Sequence, residues 1–286
     1  MPTATTAELV SAAHASGGGV AAFNVITLEH AEAITAAAEQ TGLPVILQIS
    51  ENAVKFHGGL LDGVLAGAAA AAAAASVPVS LHLDHVEDEA LVRTGVAAGV
   101  SSVMFDASVL PYEQNVGATA RVTEWAHTHG VWVEAELGEV GGKDGAHAPG
   151  VRTDPAEAAA FTAATGVDSL AVAVGSSHAM TERTARLDHE LIGRLRESVG
   201  VPLVLHGSSG VSDGELRQAV AAGMAKINIG TALNIAFTTA VRDYLASDPT
   251  AVDPRRYLRP GLDAMTATAA HLLRVVAGEP EQEGRD

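Results

Sequence analysis

A single-domain (β/α)8 TIM barrel with a C-terminal helical arm is the fold that the sequence predicts. Three observations carry that prediction. Short β-rich runs alternate with Ala-rich helical stretches along most of the chain. Eight such units fit into roughly 250 residues, the plan of a closed parallel barrel. Several helical stretches close on a glycine just before the next strand (Gly42, Gly99, Gly130, Gly166, Gly200 and Gly223), where a helix C-cap is expected.

The strands predicted are VAAFNV (20–25), PVILQIS (44–50), PVSLHLDH (78–85) and SSVMFD (101–106). Four more follow: VWVEAELG (131–138), SLAVAVG (169–175), PLVLHG (202–207) and AKINIG (225–230). Intervening segments such as EHAEAITAAAEQTG carry helical patterning, and the alanine run 68–75 reads as a surface helix of high intrinsic propensity. A doubly wound sheet is the alternative, but it wants a Gly-rich turn after its first strand, and AFNVITLEH has none. The segment 252–278 reads as an extra helical arm that closes a domain spanning 1–278. The polar tail 279–286 reads as disordered.

Composition narrows the function classes. The formal net charge of −17 over 286 residues disfavours nucleic acid and anionic membrane as partners. An anionic substrate would therefore need a local positive site: a metal, an arginine or a helix N-terminus. With no cysteine, disulfides, thiolate metal sites and cysteine nucleophiles are excluded, so a metal must be held by His, Asp or Glu. The first residues lack the basic and apolar regions of a signal peptide, and no run resembles a membrane span; a cytoplasmic enzyme is expected.

Barrel active sites form at the C-terminal ends of the strands. There the sequence places Asp84–His85, Glu134 and Glu136, His178, His206–Gly207 and Asn228. A strand-tip histidine taken singly is more often a hydrogen bonder than a ligand. Three at one face of one barrel point to a metal, and three imidazoles with an open fourth position form the arrangement of a catalytic zinc. Strict alternation sends Asp84 and His85 to opposite faces, so both reach one site only if the strand ends there. His82 shares parity with Asp84 and reads as core or as support behind the site. His14, His30, His127, His129, His189 and His271 read as peripheral. The Gly-rich HGSSGVSDGEL (206–216) and NIGT (228–231) read as anion-cradling loops at the place where barrels hold phosphate.

LHLDH, VEAELG, TGVDSLAVAVGSSH, PLVLHGSSG, KINIGT and DPRRYLRPGLDAM together resemble the class II, metal-dependent fructose-bisphosphate and tagatose-bisphosphate aldolases. The resemblance spans nearly the whole chain. It implies reversible cleavage of a ketose 1,6-bisphosphate to dihydroxyacetone phosphate and an aldehyde such as glyceraldehyde 3-phosphate, through a metal-stabilised enediolate. It implies Zn2+ held by His85, His178 and His206, with Glu136 as an accessory metal position, and Asp84 as the base that exchanges the C4 hydroxyl proton. Asn24, Ser50, Gly207, Ser208, Ser209, Asn228, Gly230 and Thr231 are implied to hold substrate and its phosphate, with Na+ or K+ as an accompanying monovalent cation. Arg255 matches an arginine that reaches a neighbouring subunit's site, with Arg259 its nearest competitor, so a homodimer or homotetramer is implied.

The chain departs from that pattern at three places. Asp144, after Lys143, stands in the loop where relatives carry the Glu that protonates C3. Ala179 follows His178 where relatives have Gly, and Gly230 stands where Asp or Ala is usual. These leave open the same aldol chemistry on another keto-sugar phosphate, such as a deoxy-keto-gluconate phosphate, or a catalytically weak zinc-binding relative. A Schiff-base aldolase would need a lysine in the barrel lumen. Of Lys55, Lys143 and Lys226, the first two fall in loops and Lys226 is expected to begin the eighth strand, away from the reactive end. A zinc-dependent barrel hydrolase would usually show His-x-His on the first strand, which AFNV lacks.

Overall fold

Parallel strands bury both faces and so read as continuous apolar runs; here they close into one barrel. The structure is a computed structural model that describes residues 4–137, 152–176 and 182–279. The strands are β1 (Val20–Asn24), β2 (Val45–Ser50), β3 (Val79–Val86) and β4 (Ser102–Phe105), then β5 (Trp132–Glu136), β6 (Ser169–Ala171), β7 (Leu203–Leu205) and β8 (Met224–Ile229). Each pairs in parallel with the next, and β8 closes on β1 with Val20 opposite Lys226 and Phe23 opposite Ile229.

The helices are α1 (Thr6–Ser16), α2 (Leu28–Thr41), α3 (Glu51–Phe56), α4 (Asp62–Ala74), α5 (Glu89–Ala97) and α6 (Tyr112–His127). Then follow α7 (Pro155–Thr165), α8 (His189–Ser198), α9 (Asp213–Ala222), α10 (Thr231–Ser247) and α11 (Pro254–Val276). Local signals start and stop them. Thr5 and Glu8 form a capping box on α1, and Asp154 caps α7 ahead of Pro155. Of the six glycines expected at helix ends, five take positive φ; Gly200 does not, because α8 stops at Val199 in extended backbone.

Helix α1 plugs the N-terminal end of the barrel. Its Leu9 and Val10 pack with Val20, Ala22, Ile46 and Ala225, and its Thr6 hydroxyl joins Ser80 and Ser102 inside. The alanine-rich α4 lies on the outside but buries Val64, Leu65, Ala68 and Ala72. The C-terminal segment divides into two parts. The second half of α11 buries Met265, Ala269, Leu272, Leu273, Val275 and Val276 and packs against α2, α9 and β1, so it completes the barrel wall. The arm is the pair formed by α10, which buries only Leu233 of its own residues, and the exposed start of α11.

Helix α5 meets β3 at Gly95, where a Cβ would overlap the Leu83 Cδ1 atom and lie 3.1 Å from Leu83 Cγ. Leu83 is fully buried and immediately precedes Asp84. Gly95→Ala is expected to lower stability by about 1–3 kcal/mol through overpacking, read as a drop in the thermal midpoint by circular dichroism; an unchanged midpoint would show that β3 has room to shift.

Candidate active site

The strand β3 does not end at His85. It runs on to Val86, and its register with β4 shifts between Leu83 and Val86. Within that irregularity His85 takes φ 48°, the one positive value at a non-glycine among the described residues. A bulge removes the strict alternation, so consecutive side chains can serve one side of the sheet. Asp84 and His85 therefore converge because the strand is bulged, and the expectation that the strand stops there is corrected. Left-handed backbone at a non-glycine carries a cost of order 1–3 kcal/mol. One compensating contact is the 2.9 Å hydrogen bond from His85 Nδ1 to Asp106 Oδ2.

Three amides from three strands hold the Asp84 carboxylate. Asn24 Nδ2 and Gln48 Nε2 donate to Oδ2 at 2.9 and 3.3 Å, and Asn228 Nδ2 donates to Oδ1 at 3.2 Å. Gln48 Nε2 also donates to Asn24 Oδ1 at 3.0 Å, which locks the amides to one another. Burial pushes the Asp84 carboxyl up, but the positive charges of His85, His206 and Lys226 outweigh that and hold it below the usual carboxylate range.

His206 stacks edge-on against His85, with ring centroids 4.7 Å apart. Its Nε2 lies 3.1 Å from Glu134 Oε1 and its Nδ1 3.3 Å from Glu136 Oε2, and all three residues are buried. Glu134 and Glu136 are two apart on β5 and so point the same way, into the barrel. Asp84, His85 and His206 bring potential ligand atoms within 4.8 Å of one another, and so do His85, Asp106 and Glu136. His178, Asp144 and Ala179 lie outside the described residues.

Among the described residues, the charged side chains nearest the two imidazoles are Asp84, Asp106, Glu134 and Glu136, against the buried ammonium of Lys226. Burial disfavours protonated His85, yet the neighbouring Asp84 and Asp106 overcome it and push the imidazole up to about 10. Burial likewise opposes a proton on His206, and hydrogen bonds to Glu134 and Glu136 raise it. A cluster that draws protons onto imidazoles in this way suits a cation with N and O ligands, so the donor set fits a divalent metal.

A cavity of about 190 Å³ opens above this centre. Asn24, Ser50, Asp84, His85, Gly207, Ser208, Ser209, Asn228, Gly230 and Thr231 line it, together with Gln48 and Asn52. Ser209 Oγ accepts from Ala232 N at 3.1 Å, and Gly230 caps α10 without a side chain. The N-terminus of α10 thus faces the cavity beside the Ser208–Gly210 turn, as an anion cradle requires. A Cβ at Gly230 would come 2.8 Å from Asn24 Oδ1, so the missing side chain leaves the Asn24 amide in place. Arg255 does not line this cavity; it pairs with Asp253 at 2.7 Å and is exposed.

Sequence reasoning passed over Asp106, Gln48 and Asn52, and gave Glu134 no role. Asp106 ends its strand, and Gln48 is the lone amide in VILQIS, so both carried a readable signal. Lys226 is a correction. The strand begins at Met224, and Lys226 sits inside it, fully buried and 2.8 Å from Glu134 Oε2. A lysine therefore does occupy the lumen, but its ammonium is paired and it does not line the cavity. His30, expected to be peripheral, is buried, with Nε2 3.2 Å from Asn234 Oδ1. His82 is interior as expected, its Nδ1 2.7 Å from Ser102 Oγ.

A closed parallel barrel with a carboxylate–imidazole centre and an anion cradle at the C-terminal ends of its strands defines a barrel enzyme. Residues 4–280 match the family model described as "Fructose-bisphosphate aldolase class-II". The fructose-bisphosphate aldolase of Geobacillus stearothermophilus is 41% identical over 270 residues, covering 93% of this chain and 94% of that protein. The crystal structure of the YdjI aldolase from Escherichia coli K12 superposes with a TM-score of 0.85 at 32% identity, covering 98% of this chain and all of that one. A fructose-bisphosphate aldolase structure from Campylobacter jejuni gives 0.79 at 25% identity, covering 95% and 94%. The chain belongs to the class II fructose-bisphosphate aldolase family, enzymes of the carbon–carbon lyase class.

His82 carries a pH signature. Burial, with the nearby Lys226 charge, holds its imidazole down to about 3. The unfolded chain takes up that proton near 6.5, so this contribution is whole above pH 6.5 and is lost as pH falls toward about 3, at up to about 1.4 kcal/mol per unit. Urea unfolding of chelator-treated protein at about pH 7 and about pH 5 is expected to show the loss, and His82→Gln to reduce it. Equal slopes in the two proteins would assign the acid sensitivity elsewhere.

Proposed function

We propose that this enzyme is a zinc-dependent aldolase that reversibly cleaves a ketose 1,6-bisphosphate of the fructose or tagatose type to dihydroxyacetone phosphate and an aldehyde such as glyceraldehyde 3-phosphate. The observation that carries the reading is a carboxylate, Asp84, oriented by three amides and held ionised by neighbouring positive charges, beside two imidazoles and opening onto an anion cradle. His85 and His206, with His178, would hold the zinc, and Glu136 would assist. When bound, the metal supplies Lewis acidity to the substrate ketone.

The chain's own groups do the rest. Ser209, Gly207 and the N-terminus of α10 at Thr231 hold a phosphate, and Asn228 and Asn24 orient Asp84 and the sugar hydroxyls. Asp84 accepts the C4 hydroxyl proton as the C3–C4 bond breaks, the work of a general base. The three-carbon enediolate then needs a proton at C3, which we assign to Asp144. A monovalent cation, Na+ or K+, would accompany the phosphate. Gly230, whose missing side chain lets Asn24 sit against it in the cavity wall, favours a second reading, the same cleavage of another keto-sugar phosphate.

Among the described residues no helix is long and apolar enough to cross a membrane; a cytoplasmic location is our proposal. So is a homodimer or homotetramer, supported by the projecting α10–α11 pair, on which Ile235, Leu245 and Val252 are exposed. Arg255 is directed to solvent in its own subunit, which suits a role at a neighbouring subunit's distal phosphate. Sedimentation of active enzyme is expected to show at least a dimer; a fully active monomer would remove both ideas.

The assay compares cleavage of fructose 1,6- and tagatose 1,6-bisphosphate by protein as isolated, after chelation and after zinc is restored. Activity lost to chelator and regained with zinc is expected. Asp84→Asn is expected to lower kcat about 10²- to 10⁴-fold with zinc content retained. Chelator-resistant turnover would sink the metal-dependent reading, and an active Asp84→Asn variant would sink the base assignment.

A further inference from the structure

We propose that Lys226 is a positioning residue for the metal centre: through Glu134 it fixes the orientation and tautomer of His206, so that Nδ1 is the atom offered to the metal. This rests on the metal-binding reading above. Lys226 lies within β8 with no exposed surface, whereas Lys55 is an exposed residue on α3, paired with Glu51. A buried ammonium is costly to keep unless paired. Its Nζ lies 2.8 Å from Glu134 Oε2, and the other oxygen of that carboxylate lies 3.1 Å from His206 Nε2. One carboxylate thus bridges an ammonium and an imidazole along a line running from the barrel interior to the site.

The chemistry of the bridge dictates the tautomer. An ionised carboxylate only accepts hydrogen bonds, so the atom facing it must carry a proton, and that atom is His206 Nε2. Nδ1 faces a second carboxylate, Glu136 Oε2 at 3.3 Å, so the metal-free ring donates on both sides. A cation beside Glu136 takes the place of the Nδ1 proton, and the ring presents its lone pair there while Nε2 stays on Glu134. That is also the side an incoming cation needs, next to the edge-stacked His85 ring. Lys226 takes the second oxygen and keeps Glu134 aimed at Nε2; without it the carboxylate can turn away. Lys226 does not line the cavity, so its action is indirect. Carboxylates behind metal-binding histidines are a general device; here the device has a third member, held on β8, three strands round the barrel from β5.

Long-range ¹H–¹⁵N spectra of zinc-loaded protein read the tautomer directly, with His206→Gln assigning the resonance. The proton is expected on Nε2; a proton on Nδ1 overturns the proposal without any Lys226 variant. Lys226→Met alone strands the Glu134 charge in the interior and is expected to fold poorly. The double variant Lys226→Met/Glu134→Gln removes both charges at similar volume. It is expected to melt, metal-free, near the parent protein, yet to bind zinc about 10- to 100-fold more weakly in competition with a chromophoric chelator. Parent-like zinc affinity in the folded double variant overturns the inference while leaving the metal site standing. A parent protein that binds no zinc overturns the functional reading and this inference with it.

Discussion

Two consecutive side chains of a regular strand face opposite sides of the sheet, and the mouth of this barrel depends on breaking that rule once. The break lies between Leu83 and Val86, where β3 slips its register with β4 and His85 adopts left-handed backbone. It places the carboxylate of Asp84 among amides from β1, β2 and β8 while the neighbouring imidazole reaches Asp106 at the tip of β4. A regular strand would have given the site one of these groups and turned the other toward the helices. The fully buried Leu83 under α5 anchors the segment just ahead of the slip.

Below that break the lumen carries charge where most barrels of this kind are filled with branched apolar side chains. Glu134 and Lys226 neutralise one another at 2.8 Å, and His206 shares the same carboxylate. His82 bonds Ser102, and Ser102 reaches the Thr6 hydroxyl of the plugging helix, so hydrogen bonds continue to the closed end. Isolated ionised groups would be intolerable at this depth; paired ones persist at a stability cost and supply orientation instead. The interior of the barrel is in that sense a scaffold for the direction of one imidazole ring.

The acidity of the whole chain gives anionic substrates nothing to approach except local features. The N-terminus of α10 and the backbone of the Ser208–Gly210 turn supply those, with no lysine or arginine among the described residues that line the cavity. Backbone dipoles are fixed by the fold and cost no reorganisation when an anion arrives. Gly230 allows the approach, because any side chain there would press on Asn24 and through it on Asp84.

The sequence by itself determined the strand number, the order of strands and helices, and the face on which Asp84, His85, Glu136, His206 and Asn228 gather. Apolar runs of strand length, helix-ending glycines and strand-tip polar residues are local signals, and a parallel barrel turns chain order directly into spatial order. The tertiary structure alone decided the bulge at His85, the burial of Lys226 against Glu134, the amide cage from Asn24 and Gln48, and the division of the C-terminal segment between barrel wall and projecting pair. Each depends on contacts between residues tens to well over a hundred positions apart. A lone Gln in β2 or Lys in β8 looks like an ordinary polar residue until its partner across the lumen is in place. Strand alternation is a property of one segment, whereas a register slip is a property of two, and no reading of either strand alone reveals it.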